Sequence, residues 1–327
     1  MLLSESDPRY VFREAAELLL KMEALLKSHG IVIGPGSGLE NIGLNVLELL
    51  FPDGIVLPTN WDPRKPFLEL IGVAEFARVL LAASSHPEFP NLLAHLRLIN
   101  TAYTVQNVHS PSTDQATNKL FELFVAASIL PCGKDLTLDP PDTSIGDNPD
   151  ILLTIGGERC GIACKTVHAD KPKTLWGNIA KGAEQIDASP ATVGVVLVNM
   201  KNVVAQDPYW WITNPNEVQA GADPTFSCFN RWWRPFSILE NELAGRVATL
   251  SSSTDVGTAT LERKFSGSRA VAFGLWGHTG AATLQNGVPT PTSVRRLHME
   301  LMRDASEELL LAFECFNRGL YGMEPAA

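Results

Sequence analysis

Apolar positions recur at three- and four-residue spacing through residues 9–28, RYVFREAAELLLKMEALLKS, with charges between them and His29-Gly30 as a stop. The pattern predicts a helix there and further helices at about 38–51, 68–84 and 90–106. GPGSG at 34–38 lacks the Gly-Lys-Ser/Thr ending of a phosphate loop and reads as a turn before a helix. HSPSTD at 109–114 is rich in capping residues, and Ser112 with Gln115 three later makes a capping box. A domain boundary is expected here, dividing a mostly helical unit (1–110) from a second unit (111–327).

A helix then runs to about Leu130 and is broken by Pro131 and Gly133, followed by strands at about 135–138, 150–155 and 159–166. The last two are joined by Gly156-Gly157. In TLWGNIAKGAEQIDAS, Trp176, Ile179, Ala180, Ala183 and Ile186 make one apolar face. TVGVVLVNM is a continuous apolar run, as expected of a strand buried on both sides. Beyond 200 the pattern predicts a helix at 235–249, a polar SSSTD loop, a strand at 269–276 and a closing helix at 295–318. Between them, DPYWWITNPNEV and FSCFNRWWRPF set aromatic rings beside Arg231 and Arg234, a mixture able either to bury its rings or to stack on unpaired bases.

Composition changes this picture only in places. The 327 residues suffice for two domains, and the formal net charge of −10 argues against coating a polyanion by bulk electrostatics, so a polyanion needs a local basic groove or a bound cation. There is no apolar run of about 20 residues and no basic-then-apolar leader, which makes a cytoplasmic protein away from membranes the expectation. The five cysteines are expected to be reduced. On a strand, Cys160 and Cys164 stand roughly 13 Å apart along one face, too far to share a zinc ion. His168 reads as a solvated residue at a strand end.

The candidate chemistry gathers around residues 118–185. Strand alternation sends Ala163 and Lys165 one way and Ile162 and Cys164 the other, into apolar packing. Glu122 lies within the apolar run LFELFVAASIL, one turn after Asn118, and an acid there needs a partner. Asn178, Lys181 and Gln185 line up on the polar side of the later helix. Asp150 follows Pro149 at the opening of a strand. Taken singly, each has a bland explanation: aspartate suits turns, a strand-end lysine reaches solvent, and Glu122 pairs with a lysine.

In this order, Glu122 in a leading helix, Pro149-Asp150, a Gly-rich hairpin, Lys165, Gln185 and a buried strand, residues 113–200 resemble the core of the PD-(D/E)xK nucleases. The resemblance implies an α/β fold with a restriction-endonuclease-like mixed sheet flanked by helices, here preceded by the helical N-terminal domain. It implies hydrolysis of DNA or RNA phosphodiesters with Mg²⁺ or Mn²⁺ held by Asp150 and a second acid, Lys165 orienting the attacking water and Gln185 supporting the site. Lys171, Lys173 and Lys181 are the candidate phosphate contacts. The family motif has an acid at the position of Ala163, a metal ligand, so GIACKT reads as GIECKT changed once. Three explanations stand open: the acid has moved, with Glu122 its best substitute; the domain binds without cutting; or alanine was introduced. A restriction or anti-phage effector, a protein partner for the N-terminal helices and a homo-oligomer are the expectations for its setting. The competing readings are a non-catalytic nucleic-acid or protein-binding module and a scaffold whose lysines form a dispersed solvated face.

Overall fold

The protein is described by a computed structural model over residues 8–50, 64–110, 114–143, 146, 148–206, 208–209, 229, 231, 233–285, 288–307, 309–311 and 314. Helices α1 (Pro8–Ser28), α2 (Gly38–Leu50) and α3 (Arg64–Ala83) match the spacing that predicts them. GPGSG is a turn leading into α2: the Ser37 hydroxyl accepts the Glu40 N–H at 3.2 Å, while the Glu40 carboxylate accepts the Gly36 N–H. The expected helix at 90–106 is instead two 3₁₀ turns around a single α turn, α4 (Leu93–Leu96), and ends at Asn100. Beyond it the chain runs against the sheet as irregular backbone held by polar side chains. Asn199 donates to Gln106 at 2.9 Å, and Asn107 donates to the Leu68 carbonyl at 2.7 Å.

Helix α5 (Gln115–Ile129) is capped by Asp114, whose carboxylate accepts the Thr117 N–H at 3.0 Å. Asp114 thus fills the role expected of Ser112, which lies outside the described residues. A meander follows, β1 (Lys134–Leu138), β2 (Ile151–Ile155) and β3 (Glu158–Thr166), antiparallel throughout. Gly156 and Gly157 have φ of 60° and 100°, the left-handed backbone that a two-residue hairpin loop demands. Helix α6 (Pro172–Ala188) crosses to β4 (Val193–Asn199), parallel to β3 and buried at every residue. Helices α7 (Arg234–Ser252) and α8 (Thr258–Ser266) precede β5 (Ala270–Gln285), parallel to β4, and β6 (Val288–Leu301) turns back antiparallel. The result is a six-stranded mixed sheet in the order β1 to β6, flanked by helices.

At the C-terminal end the strand expected at 269–276 is β5, which runs nine residues further, whereas residues 295–301 of the helix expected over 295–318 belong to β6 and helical backbone is found at 307 and 309–311. In VRRLHMEL, Val294, Leu297 and Leu301 fit a period near 3.6, while Leu297, Met299 and Leu301 fit a period of two; pairing along the whole of β5 selects the strand. Helix α8 is not foreseen, and the first two serines of SSSTD complete α7.

Both faces of the sheet are covered. On one, Met22, Phe76 and Leu80 of the N-terminal helices share a core with Phe121 and Phe124 of α5, Ile162 and Cys164 of β3 and Trp276 of β5. This core crosses the expected boundary near 110, and Glu75 of α3 pairs with Arg295 of β6. On the other face, Ile179, Ala183 and Ile186 of α6 join Leu239, Leu243, Phe265, Val196 and Ala163. Ala163 therefore lies in the apolar layer between the sheet and α6. No helix among the described residues is long and apolar enough to cross a membrane.

Candidate active site

Where β2 begins and β3 ends, a cleft of about 580 Å³ opens between α5 and α6. Its lining includes Asn118 and Glu122 from α5, Asp150, Lys165, and Asn178, Lys181 and Gln185 from α6. Residues separated by up to 67 positions in sequence are thus brought to one cavity. The hairpin is the device: Ile151 pairs with Ile162, so one step beyond that register Asp150 stands opposite Ala163.

Asp150 is buried and pinned by the main chain. Its Oδ2 accepts the Cys164 N–H at 2.6 Å and the Lys165 ammonium at 3.3 Å, while that ammonium also donates to the Cys164 carbonyl at 2.9 Å. Asp150 and Lys165 thus share one site, as the hairpin leads one to expect. Glu122, 4% exposed, approaches from α5. Burial, followed by the adjacent Asp150 carboxylate, pushes the Glu122 carboxyl well above its usual range. Gln185 is buried and donates to the Gly146 carbonyl at 2.8 Å, tying α6 to the loop before β2.

The partner of Glu122 is Lys119, one helical turn earlier. Its ammonium lies 2.9 Å from Glu122, 3.3 Å from Asp139 and 3.8 Å from Asp150. Burial acts to lower the pKa of Lys119, but the three carboxylates outweigh it and raise it, so the ammonium is firmly charged. Behind Glu122, the Nε2 atom of fully buried His95 lies 3.4 Å from the carboxylate. Burial and then the charge of Lys119 depress the imidazole to about 4, leaving it neutral. Lys119, Asp139 and His95 are absent from the sequence reading. The i, i+3 spacing of Lys119 and Glu122 is the one local signal for any of them.

The remaining candidates divide. Lys181 lines the cleft; Lys171 instead lines a separate cavity of about 410 Å³ beside Arg246, Asp170 and Glu242, and Lys173 lines neither. Ala163 is fully buried under α6, where a Cβ added at Gly182 would lie 3.3 Å from its own, and it does not line the cleft. Cys160 and Cys164 are both buried in the core, and burial pushes the Cys164 thiol well up. Of the aromatic segment, residues 210–228, 230 and 232 lie outside the described residues; Arg231 sits over the Trp233 ring at 5.7 Å, and Tyr209 is buried.

Mg²⁺ is a hard cation commonly held by one or two carboxylates, with waters and substrate phosphates completing its shell. Glu122 and Asp150, two neighbouring acids buried at the floor of the cleft, fit that demand. Among the described residues no group of three or more His, Cys, Asp or Glu side chains is arranged to hold a metal. No family model matches the chain, and no curated protein or solved structure is significantly similar to it.

Proposed function

We propose that the chain is a metal-dependent nuclease of PD-(D/E)xK type, acting on DNA or RNA and impaired in this form by Ala163. One observation carries the reading: Glu122, Asp150, Lys165 and Gln185 converge on a single cleft from the succession α5–β1–β2–β3–α6–β4. The mixed sheet with its helices is, on this reading, a restriction-endonuclease-like core. Glu122 and Asp150 would hold Mg²⁺ or Mn²⁺, which when bound supplies an activated water and neutralises charge building on phosphate. The Cys164 N–H fixes Asp150, Lys165 offers an ammonium beside it for a phosphate oxygen or the attacking water, and Lys181 adds positive charge along the wall. A role in restriction or anti-phage defence follows from the resemblance alone.

A second reading, a module that binds phosphodiesters without cutting, is favoured by the Lys119 ammonium standing among the acids and by the burial of Ala163. Digestion of single- and double-stranded DNA and RNA with Mg²⁺ or Mn²⁺, by the chain and by Ala163→Glu, separates the two. We expect cleavage to rise on the order of 10²-fold in Ala163→Glu and to be abolished when Asp150→Ala is added. A folded Ala163→Glu protein that binds these substrates yet never cuts them would establish the binding module instead.

A further inference from the structure

His168 stands on the rim of the cleft, two residues beyond β3, and is exposed. Its Nδ1 lies 2.9 Å from Nδ2 of Asn202, whose Oδ1 accepts the Ser110 N–H at 2.7 Å. The chemistry of this relay leaves one arrangement. A backbone N–H only donates, so the amide atom meeting it is the oxygen; the other end of the amide is then NH₂, which also only donates. Nδ1 of His168 must accept. A neutral imidazole that accepts at Nδ1 carries its proton on Nε2, the opposite corner of the ring. Burial and then the ammonium of Lys201 hold this histidine below its ordinary pKa, in keeping with the neutral form.

The rim thus presents an N–H donor whose direction is set by the fold, on a wall that also carries Lys165, Asn178 and Lys181. A group suited to such a wall offers acceptors and no donors. A phosphodiester oxygen meets that description, since both non-bridging oxygens only accept. We propose that His168 is a substrate-positioning residue whose Nε2–H donates to a phosphate oxygen of the bound strand, with Asn202 fixing the tautomer. This rests on the phosphodiester reading of the cleft.

The test joins imidazole ¹⁵N–¹H correlation spectroscopy of the full chain, in EDTA, to anisotropy with fluorescein-labelled DNA and RNA 12-mers. The expected result is an Nε2–H tautomer whose resonances move when a 12-mer or inorganic phosphate is added. Asn202→Asp, which puts an acceptor against Nδ1, should transfer the proton to that nitrogen. His168→Ala should weaken 12-mer binding about tenfold, the scale of one hydrogen bond to a charged acceptor, and His168→Gln, with an amide N–H near the Nε2 position, should restore most of it. An Nδ1–H tautomer in the wild type, or a ring indifferent to both ligands, overturns the proposal. So does 12-mer affinity unchanged in His168→Ala, although the nuclease reading then survives. If phosphate moves the ring while neither 12-mer binds, the donor role toward phosphate stands and the nucleic-acid reading falls.

Discussion

Two lysines in this protein solve opposite problems. Lys119 is surrounded by carboxylates, so replacing it with methionine takes the counter-charge from Glu122 and Asp139 and leaves Asp150 with Lys165 alone, a change that costs about 3–5 kcal/mol at buried pairs. Lys119→Met should therefore melt at lower temperature in EDTA, and Mn²⁺ should recover more of that loss than it adds to the wild type. Equal responses to Mn²⁺ in differential scanning fluorimetry would put the cation elsewhere. Lys201, by contrast, is fully buried with no partner at its ammonium among the described residues, and burial lowers it to about 7 despite the attraction of Asp114. Between about pH 7 and the ordinary lysine value of 10.5, the folded state binds fewer protons than the unfolded chain, so this residue makes stability rise with pH through that window. Its penalty, roughly 5 kcal/mol by that displacement, is largest below pH 7. Lys201→Met should stabilise the protein most at pH 6. Its advantage should shrink by about 1.4 kcal/mol per pH unit through the window in urea titrations; a constant advantage would mean that Lys201 is charged in the fold throughout.

Helix α6 joins the core to the cleft, and Gly182 is where the two meet. A Cβ there would lie 2.6 Å from Cγ1 and 3.0 Å from Cγ2 of Val196, a stiff side chain at the centre of the sheet. Alanine gains about 1 kcal/mol of helix propensity over glycine, while overpacking costs about 1–3 kcal/mol. We expect the clash to win: Gly182→Ala should be destabilised by about 1 kcal/mol in chemical unfolding and should bind oligonucleotide less well, because Asn178, Lys181 and Gln185 ride on the displaced helix. A net gain in stability would show that α6 sits farther from β4. At this scale much is legible in the sequence. The hairpin, α5, α6 and β4 announce themselves because period, breaker and cap agree. Residues 295–301 are strand where a helix is expected because their apolar positions serve two periods, and the deciding strand, β5, is a separate stretch of chain. Lys119 was within reach of helix spacing; Asp139 and His95 were not, since they meet Glu122 only after β1 and the turns at 89–100 have packed.

For the molecule as a whole, a net charge of −10 confines any polyanion to where lysines gather. The three lysines named from sequence are not equivalent, since only Lys181 lines the cleft. Lys181→Ala should weaken binding of DNA or RNA and lower the salt slope by about one, whereas Lys171→Ala and Lys173→Ala should leave both unchanged. Anisotropy titrations from 50 to 200 mM salt, on the order of the range where such slopes are read, check this, and a loss in all three would mean a footprint extending across both cavities. The attachment of Asp150 has a reach beyond chemistry. Because its shortest tie is to the amide of residue 164 and not to a side chain, any residue small enough for that buried position and carrying an amide hydrogen would keep the aspartate in the same place. Proline, which has no amide hydrogen, is the one replacement that would cut the tie outright.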